Sequence, residues 1–267
     1  MATTPIRELG VGRVIGLATK QSTCVPHHNY RFLPLTVTDA GGILLVWTSE
    51  PILTISKHKN SDPISLPMKS LHRPDLFCWS EFNLERNIDF HSLAWIQPQG
   101  NVLIDPLPLS EHDWAHLQSL GGAKWIVITN SDHLRASQEI AEQTGAQIAA
   151  PVGEQATFPI PVQRWLGDGD VVVPGLNAIE LHGSKTPGEL AFLLEQTTLI
   201  TGDLVRAHQA GSLMLLPDGK LIDRSLAIAS VGRLAQLNQV EAVLVGDGWQ
   251  IFRDGHTYLQ ELLDRCG

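Results

Sequence analysis

Short, wholly apolar runs that each end in small or polar residues constrain this chain most. Trp125–Ile128 and Val243–Val245 are three or four residues of apolar side chains with no alternation. Strands of that kind are buried on both faces, which requires material above and below a sheet. Between them lie segments at helical spacing. Ser110 to Leu120 starts on a capping serine with early acids Glu111 and Asp113. Asp132 to Thr144 reads as one helix stopped by Gly145, and Arg224 to Leu237 as an amphipathic helix. Ser92–Ile96 and Asn101–Ile104 flank a Pro/Gly turn and read as a hairpin, and Leu190–Glu195 with Thr198–Thr201 read as two more strands. Buried strands alternating with helices, hairpins included, imply a layered α/β (α+β) fold with mixed sheets.

Residues 1–73 read differently. They hold short β-like runs (Arg13–Ala18, Leu33–Thr38, Ile43–Thr48, Pro51–Ser56) separated by turn-formers, with poor helical periodicity. The expectation is an N-terminal extension or extra strands over 1–73, followed by one domain over 74–267.

Composition narrows the partners. The net charge of -9, from 28 acidic and 19 basic residues, repels phosphate backbones, so no nucleic-acid partner is expected. Three scattered cysteines without a CxxC pair give no thiolate metal or redox motif and suit a reducing compartment. With no basic-then-apolar start and no run of 18 apolar residues, the reading is a cytoplasmic protein without a membrane partner.

Chemistry in α/β folds gathers in loops beyond the carboxyl ends of strands. Four such segments occur: Thr129-Asn130-Ser131-Asp132-His133, Gly183-Ser184-Lys185-Thr186-Pro187-Gly188, Thr201-Gly202-Asp203 and Gly246-Asp247-Gly248. Each alone is an ordinary cap or turn. In this order they resemble the metallo-β-lactamase superfamily, which carries T-H-x-H-x-D-H, then P-G-H-T-P-G, then G-D and finally a G-H-G-type segment. Val102-Leu103-Ile104-Asp105 resembles the strand before the first motif. The resemblance runs from about Arg73 to the C-terminus. It implies a four-layer αβ/βα sandwich of two mixed β-sheets flanked by helices.

The same resemblance shows the motifs altered. Lys185 stands where the second motif has histidine, and Asp247 where the last one does. The first motif lacks two residues, which leaves Asn130 nearest its first histidine. Asp132, His133, Asp203 and Asp247 remain as metal-ligand candidates. Three carboxylates and one imidazole could hold one divalent ion, Zn, Mn or Mg, whose water would serve a hydrolase acting on a small-molecule substrate. Asp132 and Lys185 are the catalytic candidates.

A second reading stays open beside it. The Lys185 ammonium next to Asp203 could replace the ion, leaving no metal and a non-catalytic cleft that binds a small molecule or a protein. A third makes Lys185 a metal-free acid or electrophile. Blander readings also stand: Asp132 as a helix cap, Asp247 as a turn acid, and Arg135 and Arg206 as surface ion-pair residues. His182, His208 and the pair His27-His28 read as loop or surface histidines, and Trp79, Trp95, Trp125 and Trp249 as core and rim packing.

Overall fold

The computed structural model describes residues 68–267, all within Asp62–Gly267, the second of two units into which the chain divides. The strand-like runs before residue 57, and His27-His28, lie outside the described residues.

Among the described residues, fourteen strands and four α-helices make two main sheets and a ribbon. The first sheet runs β1 (Lys69–Ser70), β2 (Leu76–Asn83), β3 (Ile88–Trp95), β4 (Val102–Ile104), β5 (Trp125–Val127), β6 (Gln147–Pro151) and β7 (Arg164–Leu166) in chain order. It is antiparallel from β1 to β4 and parallel from β4 to β7. The second sheet is built from β8 (Val171–Val173), β9 (Leu176–Leu181), β10 (Glu189–Leu194), β11 (Thr198–Thr201) and β14 (Ala242–Val245). Its order is β14-β11-β10-β9-β8, with only the β11/β14 pair parallel. Both sheets are therefore mixed, as the hairpins required. The ribbon pairs β12 (Val205–Gln209) with β13 (Ser212–Leu215).

Three apolar layers separate four structural ones. Leu76, Leu93, Val102 and Ile104 of the first sheet meet Leu176, Leu190, Phe192 and Leu244 of the second between the sheets. The outer face of the first sheet, with Leu103, Ile126 and Ile148, is covered by α1 (Glu111–Ser119) and α2 (Ser137–Thr144) through Leu117 and Ile140. The outer face of the second is covered by α3 (Arg224–Leu234) and α4 (Gly255–Cys266) through Val231, Leu234, Leu259 and Leu262. This is the αβ/βα sandwich that the sequence implied. Each layer follows from strands apolar on both faces: at roughly 25 cal/mol per Å² of apolar area, neither face can be left in water.

The structure shifts several boundaries. Residues 68–73 belong with the domain: Lys69 and Ser70 pair with Cys78 and Phe77, and Arg73 binds Asp75. The helix expected from Asp132 starts only at Ser137. Ser131–His133 is a separate 3-10 turn, and Arg135 sits at φ 44° in the left-handed region, which no helix can pass through. The strand β2 and the β12/β13 ribbon were not read from the sequence. The ribbon turns at Gly211 (φ 70°) within a largely polar stretch. Among the described residues, no helix is long and apolar enough to cross a membrane.

Candidate functional site

The parallel pairs place the four loops together. Ile104 lies beside Val127 across β4/β5, and Thr201 beside Val245 across β11/β14. The residues that follow these strands therefore emerge side by side at one end of the sandwich. They line a cavity of about 310 Å³ bounded by Arg86, Phe90, Leu107, Asp132, His133, Arg135, Lys185, Asp203 and Asp247.

Asp203 is the centre, 1% exposed. Lys185 Nζ lies 2.8 Å from its Oδ2, and Arg206 Nη2 donates to its Oδ1 at 2.8 Å. Asn130 Nδ2 donates to Oδ2 at 3.2 Å, and His133 Nε2 stands 3.4 Å from the same oxygen. Burial alone would raise the pKa of this carboxyl, but the His133 imidazolium and Lys185 overcome that and hold it far below the usual carboxylate range.

His133 is turned inward and faces a carboxylate on each side. Its Nδ1 is 2.7 Å from Asp105 Oδ2. Burial disfavours its charge, yet Asp105 first and then Asp203 raise its pKa to about 10. Two acceptors on two ring nitrogens call for the doubly protonated ring. Asp105, at φ 46°, also accepts from the Thr129 backbone N–H at 2.7 Å and from Thr129 Oγ1 at 2.6 Å. It fixes both the loop and the imidazole.

Lys185 also reaches Asp132 Oδ2 at 2.6 Å. Desolvation works against the ammonium, but Asp203 and Asp132 outweigh it and raise its pKa. Asp247 lines the same cavity, but the ion pairs of His133 are with Asp105 and Asp203. The partners of Asp247 are arginines, with Arg206 Nη2 at 3.5 Å from Oδ2 and Arg135 Nη2 at 3.8 Å from Oδ1. The Arg135 guanidinium donates to the carbonyls of His91, Asp105 and Gly246. The surface reading of these arginines is corrected here: Arg206 is 4% exposed, and Arg135 is tied into the loops. A guanidinium with several donors in one plane can serve two carboxylates at once, which an isolated surface pair does not require.

The four metal-ligand candidates thus share one end of the fold without forming one coordination set. Among the described residues, no three His, Cys, Asp or Glu side chains converge as a metal ion would need. The oxygens of Asp203 are taken by an ammonium, a guanidinium and an amide, and both nitrogens of His133 face acids. The residues present do not fit a divalent ion. His182 and His208 are exposed, and neither touches Asp203.

Sequence reasoning missed the roles of Asp105, Arg206 and Glu189. Asp105 is the acid directly after an apolar strand, and Arg206 follows Asp203 by three residues. Glu189, fully buried behind Asp203, is held by Ser184 Oγ at 2.5 Å and by the Leu204 N–H at 2.8 Å. Burial first, and then the Asp203 charge, push its pKa up to about 7.

Gly202 shows why this loop needs a glycine. A Cβ there would stand 2.6 Å from Thr129 Oγ1 and 2.9 Å from Thr129 Cβ. Gly202→Ala is expected to cost about 1–3 kcal/mol by overpacking, read as a lower urea midpoint with an unchanged slope.

Comparison with known proteins agrees with this fold. The family model of the metallo-β-lactamase superfamily matches residues 68–266. No curated protein matches the chain. Among solved structures, the DIM-1 metallo-β-lactamase superposes with a TM-score of 0.60 at 15% identity, over 76% of this chain and 99% of that one. The FIM-1 metallo-β-lactamase from Pseudomonas aeruginosa, in a mono-zinc form, gives 0.60 at 15% identity over 76% and 97%. A metallo-β-lactamase family protein from Thermus thermophilus gives 0.55 at 19% identity over 72% and 79%. At these identities the likeness speaks for the fold, and the family match covers about three quarters of the sequence. The chain belongs to the metallo-β-lactamase superfamily, a membership consistent with metal-dependent hydrolysis.

Proposed function

We propose that this protein is a metal-free member of the superfamily whose cleft binds a small molecule, with Lys185 and Arg206 neutralising the acids that a divalent ion would otherwise neutralise. One observation carries this reading: the charges at the site already close. Four cations (Lys185, Arg206, Arg135 and protonated His133) face four carboxylates (Asp105, Asp132, Asp203 and Asp247). Adding a divalent ion would bring two further positive charges beside cations that already pair with these acids, which is costly. A structural or catalytic zinc would also require three or four donors at roughly 2.0–2.3 Å. Here the best-placed oxygens accept from Lys185 and Arg206 instead. The mononuclear hydrolase reading, with Asp132, His133, Asp203 and Asp247 as ligands, would need Lys185 to leave and His133 to lose a proton that two acids hold.

A cavity of about 310 Å³ sits at the lower end of the range for small-molecule sites. The acidic chain as a whole argues against nucleic acid.

Elemental analysis of the purified, untagged full-length protein tests the proposal, before and after incubation with Zn and Mn, with Asp203→Ala alongside. The expected result is far less than one metal per chain in every sample and a melting temperature unmoved by EDTA. About one metal per chain, lost in Asp203→Ala, would overturn it and restore the mononuclear hydrolase.

A further inference from the structure

At one edge of the first sheet, a serine and a histidine stand in the arrangement of a nucleophile and its base. Ser80 on β2 and His91 on β3 are direct cross-strand partners. Ser80 Oγ lies 2.8 Å from His91 Nδ1, and His91 Nε2 lies 2.6 Å from the Gly248 carbonyl oxygen. A carbonyl can only accept, so Nε2 carries the proton and donates it to Gly248. Nδ1 is then left with its lone pair, and the only role open to Ser80 is to donate its hydroxyl proton to it. The tautomer is set by the backbone, as a base is set by the third group of a catalytic triad.

We propose that Ser80 is a nucleophile activated by His91, reactive toward small activated carboxylic esters and their phosphonyl analogues. Ser80 is exposed and lies beyond the end of β1, which pairs only with Phe77 and Cys78. Among the described residues, no strand covers that side of β2 at Ser80. The base is sheltered where the nucleophile is open. Burial draws the His91 pKa below the usual histidine value, so the ring is neutral and able to accept a proton at pH 7. Among charged groups, Asp89 and Asp247 favour its protonated form and Arg135 opposes it.

The neighbouring Cys78 is a rival nucleophile for the same base. Its Sγ lies 3.6 Å from His91 Nδ1, but it is 5% exposed and burial raises its thiol pKa. It stays a protonated, enclosed thiol.

In the step itself, Ser80 Oγ forms a bond to the carbonyl carbon or phosphorus while the bond to the leaving group breaks. The serine proton passes to His91 Nδ1 and from there to the departing alkoxide or fluoride. Water attacking an acyl-Ser80 with His91 again as base would return the free hydroxyl.

The test is labelling of the full chain with an alkyl fluorophosphonate, with sites and rates read by peptide mass spectrometry. Ser119, exposed and hydrogen-bonded to the His116 carbonyl, serves as reference within the same molecule. Ser80 is expected to label roughly a hundredfold faster than Ser119, as positioned general-base assistance supplies. His91→Gln is expected to bring Ser80 down to the Ser119 rate, and Ser80→Ala to abolish the signal. Labelling of Ser80 no faster than Ser119 would overturn the proposal without any variant, as would an unchanged Ser80 rate in a folded His91→Gln protein. A hydroxyl that only satisfies a histidine would give the first of these.

Discussion

Asp203→Ala lowers the stability of the folded protein by about 3–5 kcal/mol, the usual cost of removing one partner from a buried ion pair. For a unit of this size that is a fall in Tm on the order of 10 °C. The size follows from how many cations the substitution strands. Lys185, Arg206 and His133 all turn toward this carboxylate, which is 1% exposed. Lys185→Met is expected to cost less. It leaves Asp203 with Arg206 and His133, and its other partner Asp132 has a side chain 54% exposed, where solvent screens the loss. Urea melts of the two variants in EDTA check the order. A cost for Asp203→Ala that appears only when zinc is present in the wild type would mean that the carboxylate serves a metal rather than its cationic neighbours.

Glu189→Gln is expected to flatten the dependence of stability on pH between 5 and 8. Burial and the Asp203 charge raise the Glu189 carboxyl from 4.5 to about 7 in the folded state. A raised folded pKa means the folded protein holds this proton more tightly than the unfolded chain does. The resulting stabilisation is fully present below about pH 4.5 and is lost as pH rises through about 7. The loss is on the order of 2–3 kcal/mol. Asp203 does not blur this window: its pKa is lowered, so its contribution is present above the usual aspartate range and fades only in strong acid. His133, raised to about 10, contributes below about 6.5 and loses that contribution as pH climbs toward 10. Its effect therefore dominates at the alkaline end. The glutamine amide in this variant would keep an acceptor for the Leu204 N–H and turn its NH2 toward the Ser184 hydroxyl oxygen, reversing that one hydrogen bond, with no proton to lose. The check is a set of urea midpoints for both proteins at pH 5, 6, 7 and 8. A variant that declines as steeply as the wild type would show that Glu189 is not the group responsible.

The fold was legible because burial writes itself into short apolar runs. Val243–Val245 and Thr198–Thr201 were found nearly to the residue, since strands enclosed on both faces tolerate few polar side chains. The β12/β13 ribbon was not, because Gln209 and its neighbours are exposed and leave no period to read. The site was legible as four loops at strand ends, because parallel pairing brings such loops together. Its chemistry was less so. That Arg206 turns inward to two carboxylates depends on the path of the β12 ribbon, and sequence spacing alone made a surface pair the simpler account. The single helix expected from Asp132 failed at Arg135, whose left-handed backbone accompanies a guanidinium held by three carbonyls that no local pattern announces.

The tethering of the two stand-in cations has a consequence for how the protein is made. A bound metal is a ligand, and its occupancy follows mass action: it tracks supply, competes with other chelators and vanishes on dilution. Lys185 and Arg206 are part of the chain and reach Asp203 as soon as the strands β9 to β12 assemble. On the metal-free function proposed above, maturation has no loading step, and the folded population is set by the polypeptide alone, whatever the zinc concentration around it.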